Sequence, residues 1–489
     1  MAYKHGAYGE ITDSKVTAAK QADVVAVYIG TAPINLIRGY AEKGLVNMPI
    51  RVANMSDTQN KLGYSGDWES FTLCEAFAEH FDNTVGNVGP IYIVNVLDPD
   101  THKSAEAITK DLTFNNQRAE FESSDIILDT FAINDMAESV DYSLGYNYVK
   151  GTVVVKLLKE IEEKTLKCSF YTVDASEVEY DDIIGQTTDG EFTGLHSLKL
   201  LYQNHNAVLN MLAAPGWSHI PDVYKAMVSI VQKLNGHWDG FVHADIPLVD
   251  ADGKKIDTIE KAIQWKEKNG YNSERSKVYW PKVMDGSGKI YHLSTVGQDT
   301  MLSVDLSHDA IPFESPSNKQ IMATRQYFGE GVKNNGYDQQ TCNDLNEKGI
   351  TTACFWGGQW VLWGPHTAAF TYNGSMDARG IFDVNMRMLM HITNSFQLDH
   401  GTEIDSPMTP QQKDTILNFE RQKLDTLSGI GALIGTPSVE FLETANSVSD
   451  MMNGDFVWDF AVTNTPPFKS GTARVCYTDE GFAAFFGTE

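Results

Sequence analysis

The side chains in this sequence that suit hydrolytic chemistry are few. They are His219 in the loop Pro215-Gly-Trp-Ser-His219, His243 with Asp245 at a strand end, and Ser287 between two glycines. A serine backed by a histidine base and an orienting carboxylate would hydrolyse esters or peptides. On an α/β sheet such a serine needs Gly-x-Ser-x-Gly at a strand-to-helix turn, and no such pentad occurs. Ser287 lies in Asp285-Gly-Ser-Gly288, a turn that calls for small residues on backbone grounds. His219, just before Pro221, reads as a loop or helix-cap residue. No catalytic residue is therefore assigned.

The other chemical motifs are equally thin. Gly429-Ile-Gly431-Ala-Leu-Ile-Gly435 has one residue too many for a dinucleotide fingerprint and follows a helix instead of a strand. Asp250-Ala-Asp252-Gly253 has its glycine two positions early for a calcium loop and reads as a hairpin tip. No phosphate-binding GxxxxGK[ST] and no HExxH is present. Five cysteines (Cys74, Cys168, Cys342, Cys354, Cys476) at wide spacings fit neither a disulfide framework nor a zinc knuckle, and are read as reduced thiols. No cofactor and no metal is expected.

Charge narrows the class further. Asp and Glu number 65 and Lys and Arg 38, a formal net charge of −27 over 489 residues. Such a surface repels phosphate backbones and anionic lipid, which argues against direct nucleic-acid binding and membrane attachment. The start, Met1 to Glu10, has no apolar core of signal-peptide type. Residues 349–376 carry no charged side chain, but Gly357-Gly358, Gly364-Pro365 and several threonines rule out a spanning helix. That stretch predicts two buried strands, Ile350–Trp356 and Trp360–Trp363, about a Gly-Gly turn.

The elements around these residues follow an α/β rhythm. Asp23–Gly30 and Ile91–Leu97 are continuous apolar runs of buried-strand type, and between them Trp68–Phe81 has helical spacing with Phe71, Cys74, Phe77, Ala78 and Phe81 on one face. Residues 101–190 break the rhythm, with 18 Asp and Glu against 8 Lys and Arg and β-type runs at Ser124–Ile133, Tyr148–Leu158, Thr165–Val173 and Glu177–Tyr180. The rhythm resumes with a helix at Gly194–Tyr202, strand Val208–Ala214, a helix from Pro221 to about Asn235, strand Gly240–Ile246 and helix Thr258–Asn269. A hairpin is predicted from Ser276–Val283 and Lys289–Ser294, then a helix at Thr295–Asp305. The last third holds a helix lined by Ile381, Val384, Met388, Leu389, Ile392 and Phe396, and another capped at Thr409-Pro-Gln-Gln412. Phe456–Val462 alternates as a strand, Thr472–Thr478 is a second, and Gly481–Phe486 is an apolar tail.

The fold class is thus α/β: a doubly wound mixed sheet with an inserted β-rich domain and an α+β C-terminal domain. The divisions are an N-terminal arm at 1–20, α/β segments at 21–100 and 191–364, the acidic insertion at 101–190, the C-terminal domain at 365–465 and a C-terminal arm at 466–489. An arm without a core and an apolar tail without cover point to assembly. The competing reading is a soluble α/β hydrolase of unknown substrate.

Several fragments, in order and at matching spacing, carry a resemblance. They are Ala2-Tyr-Lys-His-Gly6, Val27-Tyr-Ile-Gly-Thr-Ala-Pro33, Leu212-Ala-Ala-Pro-Gly-Trp-Ser-His219, the stretch 262–275, Tyr279-Trp-Pro-Lys282, Glu314-Ser-Pro-Ser-Asn318, Leu345-Asn-Glu-Lys-Gly-Ile350 and Trp360-Val-Leu-Trp-Gly364. Together they resemble the contractile tail sheath proteins of bacteriophages and contractile bacteriocins. The resemblance implies a structural subunit with no enzymatic activity and no cofactor, and a middle region of subtilisin-like architecture without an active site. It implies polymerisation with itself, as homo-hexameric rings in a helical sheath around an inner tail tube protein. Baseplate and tail terminator proteins would be further partners. The setting would be a virion tail or contractile particle assembled in the bacterial host cytoplasm. It also implies arms that add strands to neighbouring subunits. The residues placed there are Tyr3, His5 and Tyr8; Phe456, Trp458, Phe460 and Val462; Val475 and Tyr477; and Phe482, Phe485 and Phe486.

Overall fold

A computed structural model describes residues 24–160 and 164–486. Its centre is an eight-stranded sheet. The order across it is Gln359–Trp363, Ile350–Trp356, Ser276–Tyr279, Phe241–Asp245, Met211–Ala213, Ala26–Gly30, Ile91–Asn95, Pro49–Val52. The six inner strands run parallel; the two edge strands are antiparallel. The inner strands are the continuous apolar runs of the sequence, because helices cover both faces and leave no polar side. Ala26–Gly30, Ile91–Asn95 and Phe241–Asp245 are buried at every position.

Covering helices include Leu73–Phe81, Pro221–Ile230, Ile259–Asn269 and Leu293–Ser307. Thr258 caps the third through its side chain, which accepts from the Lys261 amide, and Pro221 opens the second. The one-face prediction for 68–81 needs correcting. The helix starts at Leu73 and is buried all round, Glu75, Glu79 and His80 included, because it packs between the sheet and the Leu293–Ser307 helix. That second helix comes close at Gly297, where a Cβ would sit 2.5 Å from the Tyr279 ring.

The predicted hairpin arm Ser276–Val283 is two strands. Ser276–Tyr279 belongs to the central parallel sheet, and Pro281, which has no amide to donate, ends it. Lys282–Met284 then pairs with Ile290–Tyr291 and with Arg325–Tyr327, which the sequence did not reveal.

Residues 108–170 form two three-stranded antiparallel sheets. One joins Ile108–Thr113, Thr165–Phe170 and Ala132–Ile133; the other joins Arg118–Glu122, Thr152–Leu157 and Tyr142–Asn147. They enclose a separate core that includes Phe121, Phe131, Phe170, Val153 and Val155. Of the predicted run Ser124–Ile133 only the last two residues are strand, and Tyr148–Leu158 becomes strand only from Thr152, after a turn. The predicted strand at Glu177–Tyr180 is absent. A 3-10 turn, Ala175–Glu177, leads into a short helix, Tyr180–Ile184. The lobe enters and leaves through a bridge between Lys103 and Val173. Asn35 Nδ2 ties it to the body, donating to the carbonyls of Ser124 and Ile126 at 2.9 Å each.

Toward the C-terminus, helices Asp383–His400 and Pro410–Gly429 pack on a two-stranded sheet, Ser438–Glu440 with Asp459–Ala461. Thr409 Oγ1 accepts from the Gln412 amide at 3.1 Å, as the sequence predicts. The predicted strand Phe456–Val462 is shortened to Asp459–Ala461, and that predicted at Thr472–Thr478 does not form.

Candidate functional site

The hydrolase candidates do not assemble. Asp245 is buried, and its carboxylate faces two serines: Ser218 Oγ donates at 3.2 Å, and Ser294 donates through its amide at 3.0 Å and through its hydroxyl. Burial raises the Asp245 pKa above the usual carboxylate range. His243, two residues back on the same face of the strand, is engaged by the neighbouring strand instead: its Nδ1 lies 2.7 Å from the Tyr279 hydroxyl, and its Nε2 has no partner. Burial pushes His243 well below its ordinary value and His219 down to about 4. Ser287 Oγ bonds only the carboxylate of Asp285, in an exposed turn. A base must reach both its nucleophile and its orienting acid, and here neither His243 nor His219 hydrogen-bonds Asp245 or a serine hydroxyl. The cluster acts instead as a polar clamp between strand Phe241–Asp245 and the start of helix Leu293–Ser307.

Among the described residues, no group of three or more His, Cys, Asp or Glu is placed to hold a metal ion. No described helix is long and apolar enough to cross a membrane. All five cysteines are free, four buried and Cys476 exposed.

The assembly candidates divide by position. Tyr3, His5 and Tyr8 lie outside the described residues. Phe456, Trp458, Phe460 and Val462 are half-buried, alternating with exposed Val457, Asp459 and Ala461, so the period-two pattern is present. Trp458, Phe460 and Val462 pack on the chain's own core beside Leu424, Leu427 and Val439. Their side chains are thus already engaged. What remains open is backbone: a two-stranded sheet leaves one unpaired edge on each strand.

The chain stays attached to this body as far as Thr465, whose amide donates to Ala432 O at 3.1 Å. Beyond it, residues 468–486 are exposed throughout. Phe468, Val475, Tyr477, Phe485 and Phe486 are 81–92% accessible, and Phe482 53%. Thr472–Thr478 has a strand's alternation but no partner strand among the described residues. Phe468 falls in no periodic run of the sequence; its only local signal is the preceding Pro466-Pro467, which offers no amide to a helix or sheet.

The architecture is that of contractile sheath proteins. A chain of the anti-feeding prophage baseplate, 6-fold symmetrised, matches with a TM-score of 0.55 at 14% identity, over 98% of this chain and 100% of that one. A chain of an extracellular contractile injection system, the PVC sheath complex in its contracted state, matches with a TM-score of 0.56 at 12% identity, over 98% and 99%. The sheath tail protein of Desulfitobacterium hafniense matches with a TM-score of 0.51 at 10% identity, over 94% and 100%. In sequence, the chain is similar to the tail sheath protein of Burkholderia phage BcepMu, 24% identical over 500 residues that cover 97% of each. No family model matches the chain. The resemblance carried by the sequence fragments is the one these comparisons find.

Proposed function

We propose that this chain is the sheath subunit of a contractile tail or injection particle. The observation that carries the reading is its likeness, from end to end, to a tail sheath protein. The uncovered apolar segment after Thr465 supports it, because a subunit of a polymer leaves exposed what its neighbour buries. In this reading subunits form stacked hexameric rings around an inner tube, with baseplate and terminator proteins at the ends. The extended sheath is kinetically trapped; a baseplate trigger releases it, subunits rotate outward, and new contacts favour the short, wide form. The arms add strands to neighbouring subunits and keep the lattice connected while the bodies move. A head-to-tail contact that does not close on itself yields a helical stack. The sheet and its covering helices serve as a scaffold of subtilisin-like architecture without a catalytic centre. Residues 365–489 would face the tube through a polar contact that lets it slide.

Purified protein imaged by negative-stain electron microscopy tests the reading directly. Tubular or ring-stacked assemblies are expected; a strictly monomeric protein under all assembly conditions would overturn it.

The acidic lobe should be dispensable for assembly, provided the cut respects its neck. Val173, Val178 and Ile183 belong to the main core, so excising 101–190 would gut the body. The backbone instead closes at Ser104, whose amide donates to Thr172 O at 2.8 Å. Replacing 104–172 with a short Gly/Ser linker removes only one buried main-core side chain, Ile127, and is expected to leave a folded, somewhat less stable subunit that still assembles. Insoluble or unfolded protein from that excision would make the lobe part of the folding core.

A further inference from the structure

Helices Asp383–His400 and Pro410–Gly429 leave an apolar groove between them. Ile311, Ile392, Phe419, Leu424 and Leu427 line it, and its volume is about 320 Å³. Its charges are already answered: Lys423 Nζ bonds Asp399 at 2.5 Å and Ser395 Oγ at 3.2 Å. Burial holds His391 down at about 4, neutral near physiological pH. Phe419 stands at its lip, 45% accessible. A groove of this kind rejects a charged occupant and rewards an apolar one.

The same chain carries an occupant of matching size. Residues 480–486 form a 3-10 helix on which Phe482 and Phe485 stack, ring centroids 6.2 Å apart and planes 25° apart. A dry apolar cavity of about 150 Å³ accommodates one benzene ring, so this groove has room for about two. The tail is exposed in its own chain and so does not fill its own groove.

We propose that the groove is the seat of the aromatic end, residues 480–486, of a second copy of this chain. The inference rests on the sheath reading and adds to it a side-chain lock beyond the backbone pairing of the arm. The strand at 472–478 would supply direction; the paired phenylalanine rings would anchor the end and resist its peeling away.

The test uses the full chain with Cys476→Ser, which removes the exposed native thiol. One population carries Ala484→Cys, which keeps the paired rings, and a second Thr426→Cys, at the groove's rim; both sites are exposed, so neither change threatens folding. The two are mixed, assembled and treated with diamide, which oxidises two thiols to a disulfide and takes up the two electrons and two protons. A covalent pair containing one chain of each kind is expected. No pair between the two populations would overturn the proposal. Deleting 480–486 alone is expected to lower the temperature at which assembled sheaths dissociate; unchanged dissociation would overturn it. If the groove assignment alone is wrong, removal of 466–489 still abolishes sheaths while these results are negative. If strand exchange itself is wrong, removal of 466–489 leaves sheaths intact.

Discussion

A chain ending at Thr465 is expected to fold as the full-length subunit does and to build no long sheaths. Residues 468–486 contribute no buried side chain to their own body, so their loss should change its stability by no more than about 0.5 kcal/mol, the range for surface changes. Their value lies between subunits. Burying four phenylalanines, Phe468, Phe482, Phe485 and Phe486, contributes roughly 6–12 kcal/mol before the cost of ordering the segment. Losing most of that at every junction is enough to abolish a polymer. The arm at residues 1–18, which lacks the apolar pattern of a self-packed strand, should behave alike when removed. Circular dichroism and thermal melting report the fold, and negative-stain microscopy reports assembly. Long, regular sheaths from the truncated chain would defeat the arm-exchange mechanism; an unfolded truncated chain would show that the segment serves its own body.

What the sequence conveys depends on where a segment finds its partners. The inner strands of the central sheet are legible because each is buried on both faces, and burial on both faces leaves a continuous apolar run. Helix starts are legible at Thr258, Pro221 and Thr409, where a side-chain oxygen or a missing amide settles a local question. The lobe at 108–170 is harder. Its strands alternate with exposed residues in short, loosely patterned runs, so Ile108–Thr113 and Tyr142–Asn147 pass unnoticed while loop residues at 124–131 look like strand. The segment Ser276–Val283 misleads for a different reason: one apolar run spans two strands in two sheets, and only Pro281 marks the break.

The C-terminal arm is the instructive case. Thr472–Thr478 reads as a strand, and in the isolated chain it is not one. Strand propensity expresses fitness for a pleated, half-buried surface, not a self-sufficient backbone preference. A segment with that fitness and no partner among the described residues is what strand addition requires. The hydrolase residues fail in the opposite way. Residue types suited to catalysis sit near one another in sequence, and Asp245 and His243, two apart on one strand, share a face of the sheet, but each meets a different neighbour there, serines for one and Tyr279 for the other.

Asp383→Ala should be among the most destabilising single changes in the body. Lys277, on a central strand, and Asp383, the first residue of the helix that begins the C-terminal part, form an ion pair at 2.6 Å with neither side chain accessible. Lys277 Nζ also donates to Gly364 O at 2.6 Å and His366 O at 3.2 Å, and Asp383 Oδ1 accepts from the Val384 amide at 2.7 Å. One ammonium thus pins the sheet to the connection and to the helix start. Burial lowers the Lys277 pKa from its ordinary value, and the Asp383 carboxylate is the main influence holding it up. Without that carboxylate, Lys277 either keeps an uncompensated charge away from water or gives up its proton. Breaking a buried pair from one side costs about 3–5 kcal/mol, a large share of a domain's net stability. Asp383→Asn, which keeps an oxygen acceptor, should lose less. Lys277→Met combined with Asp383→Leu should also lose less than Asp383→Ala alone, because no charge is then stranded. Urea unfolding of the four proteins settles the order. A loss below about 1 kcal/mol for Asp383→Ala, the scale of exposed ion pairs, would mean that water reaches Lys277 and that the joint between body and C-terminal helices is looser than a buried ion pair makes it.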